Sequence, residues 1–154
     1  MVRPDGELVV GTGAPAERDP AQVWLAYLDP EGNVAWERTL TAAGAARARA
    51  AVALSDGYAI VGETTATADA DRAPHVWRLG LDGTPRWDRS YQGEGSGQAF
   101  EILNGVDATS DGGLIVVGVT ARGPGKTNVW VIRIDPDGKV IWQRVFGAAA
   151  SAPG

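Results

Sequence analysis

Apolar and polar positions alternate along short segments of this chain, as they do in β-strands. In the segment that follows Asn128, the side chains of Trp130, Ile132 and Ile134 fall on one face, and the residues between them fall on the other. The preceding run at 115–118 is continuously apolar and rich in β-branched residues, which is typical of a strand covered on both faces. The pattern therefore predicts strands rather than helices.

The strand pattern occurs three times and uses every tryptophan of the chain. Each copy holds an apolar run, a "VW" segment, a turn and then a second tryptophan, with a period of about 53 residues. The six tryptophans form two equivalent sets, which are Trp24, Trp77 and Trp130, and Trp36, Trp87 and Trp142. A complete copy is expected to contain four antiparallel strands, named A to D in chain order, and the first copy is expected to lack strand A.

Four-stranded units of about 50 residues are typical of β-propeller blades. We therefore predict an all-β fold of about three blades, in the form of a partial propeller or half-ring. The expected boundaries are 1–40 for the first blade with strands B to D, 41–91 for the second, 92–147 for the third, and 148–154 for a flexible tail. Strict alternation in strand A of the second copy places Ala48, Ala50, Val52 and Leu54 on one face.

The third copy, "SDGGLIVVGVT" followed by "VWVIRIDPDGKVIWQRVFG", resembles a family of bacterial and archaeal β-propeller repeats. The consensus of that family reads "SDGGYIVAGST" and then "DVWLIKLDSNGNVLWQKTYGG". The second copy resembles it loosely, and the first lacks strand A. The resemblance implies a propeller that is often part of secreted or multidomain proteins. Because the family is largely uncharacterised, the resemblance implies no catalytic residues.

The acidic turns between strands C and D could be calcium loops or tight hairpin corners. They read "DPEG", "DG" and "DPDG", and they end at Gly32, Gly83 and Gly138, each of which stands four residues before a tryptophan. The spaced oxygen ligands of a calcium loop are missing, and Asp, Pro and Gly are the residues that a tight turn needs. The sequence therefore favours corners.

The repeated tryptophans could form a sugar-binding platform or pack neighbouring blades together. Their recurrence at fixed strand positions favours packing. His75, the only histidine, aligns with Gln22 and Asn128 just before each "VW", so a structural polar role is favoured over catalysis. The chain has no cysteine, and with a single histidine it offers little for a zinc site or a nucleophilic triad. We predict no cofactor, no metal and no enzymatic activity.

Variable loops are the expected place of function, because binding residues commonly lie on loops held by a rigid scaffold. The B-to-C and D-to-A connections differ between copies and are expected at the same end of the sheets, opposite the uniform turns. The leading hypothesis is a binding scaffold for a protein partner. Carbohydrate binding or processing, and a purely structural spacer, are the alternatives. The predicted contact residues are Glu17, Arg18, Asp69, Asp71, Arg72, Arg122 and Lys126.

Charge and blade count constrain the partners. A formal net charge of -5 and a pI near 4.8 argue against a nucleic-acid binder, which normally carries a basic stripe. No apolar run is long enough to span a membrane, and no signal peptide is recognised, so a soluble chain is expected. The compartment stays open, although the resemblance leans towards extracellular, periplasmic or multidomain bacterial proteins. Propellers close with about 4 to 8 blades, so further blades or a second copy are expected partners.

Overall fold

The computed structural model describes residues 2–14, 19–66, 72–93, 101–121 and 127–147. These residues form twelve β-strands and contain no helix. The strands are β1 (Val2–Arg3), β2 (Gly6–Gly13), β3 (Gln22–Leu28), β4 (Val34–Leu40), β5 (Ala46–Leu54), β6 (Gly57–Thr64), β7 (Ala73–Gly80), β8 (Pro85–Ser90), β9 (Glu101–Ala108), β10 (Leu114–Ala121), β11 (Thr127–Ile134) and β12 (Val140–Phe146).

The strands pair in chain order into three antiparallel sheets. Sheet I contains β1 to β4, sheet II contains β5 to β8, and sheet III contains β9 to β12. Sheets II and III each have four full strands. Sheet I has three full strands, and the place of strand A holds only the two-residue β1, which pairs with β2 at Glu7 and Gly6. The expected lack of strand A in the first copy is therefore correct except for this short ladder. The all-β prediction is confirmed.

A β-bulge changes the face pattern of strand β5. The pairing of β5 with β6 shifts between Ala48 and Ala50, so that Arg49 is the extra residue. Ala48 packs against the core shared with sheet I, whereas Ala50 and Val52 pack against the core shared with sheet III. The strict alternation expected for this strand was wrong, because a bulge moves every residue before it to the other face.

The three sheets stack face to face with sheet II in the middle. One apolar core joins Leu8 and Leu25 of sheet I to Ile60 and Leu79 of sheet II. A second core joins sheet II to sheet III and includes the fully buried Trp130. Burial on both faces explains why β6 and β7 are almost entirely buried, including the polar side chains of His75 and Arg78 in β7. The described residues form a stack and not a closed ring. They include no helix that could cross a membrane.

The acidic turns are closed by their own carboxylates. In the first turn, the Asp29 carboxylate accepts hydrogen bonds from the backbone N–H of Glu31 (3.0 Å) and Asn33 (2.8 Å). The turn that begins at Asp135 repeats this arrangement. The bond to the Asn33 backbone is the main reason why the pKa of Asp29 is lowered. Gly32 has a φ of 87°, which glycine adopts without strain. This geometry is that of a corner.

Candidate functional site

Variable connections from sheets I and II meet at one end of the stack, which we call the loop face. The side chain of Gln22, at the start of β3, accepts from the Ala42 backbone N–H (3.1 Å) and donates to the Gly44 carbonyl (3.1 Å). The Thr65 backbone, just after β6, accepts a hydrogen bond from the Gly44 N–H and donates one to the Ala45 carbonyl. The Thr65 hydroxyl accepts from the Ala45 N–H. These bonds join the B-to-C connections of sheets I and II to the D-to-A connection between the two sheets. The tight turns lie at the opposite end of the strands, which we call the turn face.

A buried carboxylate lies at the loop face between two arginines. Glu63, near the end of β6, has a side chain that is almost completely buried. One of its oxygens lies 3.1 Å from an Arg72 nitrogen and the other lies 3.4 Å from an Arg49 nitrogen. A buried carboxylate is costly unless it is paired, and two guanidinium groups supply the pairing here. Both arginines remain partly exposed, so the cluster has one net positive charge and donors directed towards solvent.

Arg49 reaches this cluster because it occupies the bulge in β5. The bulge brings the β5 backbone very close to β6: a Cβ atom added to Gly62 would lie 1.8 Å from the Arg47 carbonyl oxygen. Only glycine allows this approach, and the residue directly after it is Glu63. The bulge therefore re-aims Arg49, which lies opposite no single residue of β6, towards the carboxylate.

Arg49 also lines a pocket between sheets I and II. The pocket has a volume of about 290 Å³, and its other lining residues are Leu8 and Val10 of β2 and Ala48, Ala50 and Ala51 of β5. It lies beside the stretch of β2 that follows Glu7, where no β1 residue pairs with β2. In sheets II and III the corresponding edge is paired with a full strand A. The side chains that line this open pocket are apolar except for that of Arg49.

Only one of the predicted contact residues can be placed. Arg72 belongs to the cluster at Glu63, whereas Glu17, Arg18, Asp69, Asp71, Arg122 and Lys126 lie outside the described residues. Sequence reasoning missed Arg49 and Glu63. The signal for Glu63 was present, because it is a charged residue at a position where the other two copies have Thr12 and Val119. Arg49 had no such signal, since its role depends on the bulge.

His75 is held inside sheet II by two side chains of β8. Its Nε2 lies 2.7 Å from the Asp88 carboxylate and its Nδ1 lies 2.9 Å from the Ser90 hydroxyl, and the ring packs against Trp77. Burial lowers the pKa of His75, and the bond to Asp88 acts in the opposite direction. These three residues have the composition of a hydrolase triad. However, the equivalent Gln22 serves to bond the backbone, and the pocket lies beside Arg49 and not beside Ser90.

The tryptophans of strand D contact neighbouring sheets. Trp36 lies against Gly83 of sheet II, and the Trp87 indole donates to the Pro136 carbonyl of sheet III (3.0 Å). These contacts fit the packing interpretation better than a sugar platform, which needs an open aromatic face. Trp142 is the exception, since it is exposed.

No group of three or more His, Asp or Glu side chains in the described part of the chain could hold a metal ion. No family model matches the chain, and none of the curated proteins with which it was compared matches it.

Proposed function

We propose that the three sheets are consecutive blades of a β-propeller arc, and that this arc is a non-enzymatic module that binds a protein partner through the loop face. Three observations support the arc: each sheet is an antiparallel meander, the sheets stack face to face, and equivalent tryptophans join successive sheets. The fold alone does not define a function, so the binding proposal depends on the site.

The observation that carries the binding proposal is the combination of Arg49, Glu63 and Arg72 with the adjoining pocket. Glu63 can satisfy two guanidinium groups only in part, and the remaining donors of Arg72 face solvent because its side chain is 51% exposed. The side chains that line the pocket are apolar apart from that of Arg49. A complementary partner presents a carboxylate to the arginines and a neighbouring apolar side chain to the pocket. An extended protein segment carries both groups at the required spacing.

Selection of a phage-displayed library of random 12-residue peptides on the immobilised chain tests this proposal. We expect enrichment of peptides with an Asp or Glu beside an apolar residue. The affinity of the selected peptides, measured by fluorescence anisotropy, should fall about tenfold or more in the variant Arg72→Gln, because a charge-assisted hydrogen bond is lost.

Arg86→Gln is the matched control. Arg86 is 47% exposed and also forms an ion pair, at 2.6 Å from Asp56, but it lies at the turn face. Both variants lose the charge and the ion pair of a half-exposed arginine. They differ in position and in the partner carboxylate, because Glu63 is buried whereas Asp56 is exposed, so circular dichroism of both variants must show a folded β-protein before the affinities are compared. Equal loss of peptide affinity in the two variants would refute the assignment of the site.

A glycan array is the second arm of the experiment. Binding of sugars without any selected peptide would favour the carbohydrate alternative. If neither probe binds a chain whose circular dichroism shows a folded β-protein, the spacer alternative is favoured.

A further inference from the structure

Sheets I and II are joined by a specific contact between strand D of one sheet and the turn of the next. Trp36 and Arg38 of β4 lie over Gly83 of sheet II: a Cβ atom at Gly83 would be 2.6 Å from the Trp36 ring and 3.1 Å from the Arg38 side chain. The Arg38 guanidinium also donates to the Asp82 carbonyl (3.0 Å). The absence of a side chain on Gly83 is what allows the indole to approach the turn.

The same contact joins sheets II and III. Trp87 and Arg89 of β8 lie over Gly138, where a Cβ atom would be 3.1 Å from the Trp87 ring and 3.0 Å from Arg89. The Trp87 indole donates to the Pro136 carbonyl, and the Tyr91 hydroxyl donates to the Gly138 carbonyl (2.7 Å). A tryptophan and an arginine two residues apart, set against a turn glycine of the next sheet, thus form a repeated contact, which we call the tryptophan–turn contact.

One half of this contact remains unused at each end of the stack. At sheet III, Trp142 is 40% exposed, and the Arg144 guanidinium lies over its ring at 5.9 Å. At sheet I, no atom of the described residues other than Gly32 and its two chain neighbours lies within 4 Å of the Cβ position of Gly32. Trp142 and Arg144 occupy the positions of the tryptophan and arginine in the two formed contacts. Gly32 occupies the position of the turn glycines Gly83 and Gly138. The two unused halves are therefore complementary.

The flat faces at the two ends show the same complementarity. On the outer face of sheet I, Trp24 is 40% exposed, whereas its equivalents Trp77 and Trp130 are 4% and 0% exposed beneath the preceding sheet. On the outer face of sheet III, Val117 is 41% exposed, whereas its equivalent Val61 is fully buried beneath the following sheet. Equivalent residues thus differ in burial because a neighbouring sheet is present or absent. Burial of such apolar surface is favourable.

We propose that a second copy of this chain binds end to end, with Trp142 and Arg144 of one copy against the turn at Gly32 of the other. Two such contacts close a ring of six sheets, which lies within the range of about 4 to 8 blades seen in propellers. The contact is heterologous, because different surfaces of the two copies meet, and it ends in a closed dimer when the rotation between copies closes the ring. This inference rests on the propeller arc proposed above but not on the binding of peptides.

The test is the native mass of the chain from about 1 to about 100 µM, measured by native mass spectrometry and by light scattering. We expect twice the 16.0 kDa of one chain. Trp142→Ser removes the tryptophan of the contact. Val9→Glu places a charge on the outer face of sheet I, where Val9 is 36% exposed. Each variant should raise the dissociation constant of the dimer more than tenfold, because each copy contributes both surfaces to the ring.

Val140→Ser is the matched control, since it removes an exposed apolar side chain from the same strand as Trp142. Its equivalent in sheet I, Val34, stays 56% exposed beside the formed contact with sheet II, so this position lies outside the contact. The control should remain dimeric. Circular dichroism and peptide binding, measured on every variant, separate loss of association from loss of fold and from failure of the loop-face proposal.

Three results would overturn the inference. The wild-type chain could remain a monomer at about 100 µM. The dimer could persist in Trp142→Ser. It could also be lost in Trp142→Ser but kept in Val9→Glu, which would indicate that sheet III pairs with itself.

Discussion

Alanine at Gly62 should destabilise the protein, whereas alanine at the equivalent Gly11 should not. Both glycines follow two apolar residues in strand B, and neither has a positive φ, so the backbone conformation is not the difference between them. At Gly62 the added Cβ atom would lie 1.8 Å from the Arg47 carbonyl oxygen. At Gly11 the nearest atom belongs to the Trp24 ring, at 3.7 Å. The bulge of β5, which sheet I lacks, makes the difference.

The size of the effect follows from the distance that the backbone must move. Contacts of a real Cβ atom essentially never fall below 3.0 Å, so β5 and β6 must separate by roughly 1.2 Å at the bulge. Forcing a methyl group into packed structure costs about 1 to 3 kcal/mol. Each ladder hydrogen bond that opens costs about 1 kcal/mol more. We therefore expect Gly62→Ala to lower the free energy of unfolding by about 2 to 4 kcal/mol.

The control substitution, Gly11→Ala, should change the free energy of unfolding in the opposite direction. Gly11→Ala adds a methyl group in ordinary contact and restricts the unfolded chain, so it should stabilise the protein by about 0.5 kcal/mol. Urea unfolding followed by circular dichroism measures both values. Both substitutions are made in the Trp142→Ser background, so that association of copies does not contribute. Equal free energies of unfolding for the two variants would refute the argument that the bulge excludes a side chain.

Three further predictions use single substitutions. His75→Gln should remove the pH dependence of stability between about pH 5 and pH 7. Burial lowers the pKa of His75, so as the pH falls the unfolded chain binds a proton at this residue before the folded chain does. The stability of the wild type should therefore fall below about pH 6.5. Urea midpoints across this range test it, and a constant wild-type midpoint would contradict it. Asp111→Asn should make stability less dependent on pH below about pH 4. The hydrogen bond from Thr109 lowers the pKa of Asp111, so the stability that this carboxylate provides above about pH 4 is lost when it is protonated. Acid titration followed by circular dichroism should show a steeper loss of folded protein in the wild type. Tyr91→Phe removes the bond to the Gly138 carbonyl and should lower the free energy of unfolding by about 1 kcal/mol in urea; an unchanged value would mean that this bond does not contribute.

Much of the fold could be predicted because strand alternation and turn chemistry are local properties. The faces of β11 follow directly from the alternation of Trp130, Ile132 and Ile134, all of which the structure buries. The corner at Asp29 follows from an aspartate that bonds its own backbone before a glycine of positive φ. Neither feature depends on residues far away in the chain.

The candidate site could be predicted only at Arg72, because its other members depend on the pairing of strands. Arg49 acts at Glu63 only because a bulge aims it there, and a bulge is defined by the partner strand. The pocket likewise depends on two sheets, since β2 and β5 form its wall. The sequence pattern of one strand does not indicate which other strand forms the opposite wall of the pocket.

Departures from the repeat are the best guide to function in a chain of this kind. Residues that recur in every copy, such as Trp87 and Gly138, make the same contact at both junctions between sheets and so serve the stacking of sheets. A residue with a task of its own must differ from its equivalents. Glu63 stands where the other copies have neutral residues, and it pairs with Arg49 beside the pocket. The repeat therefore supplies the scaffold, and this departure marks the surface at which sheet II differs from its neighbours.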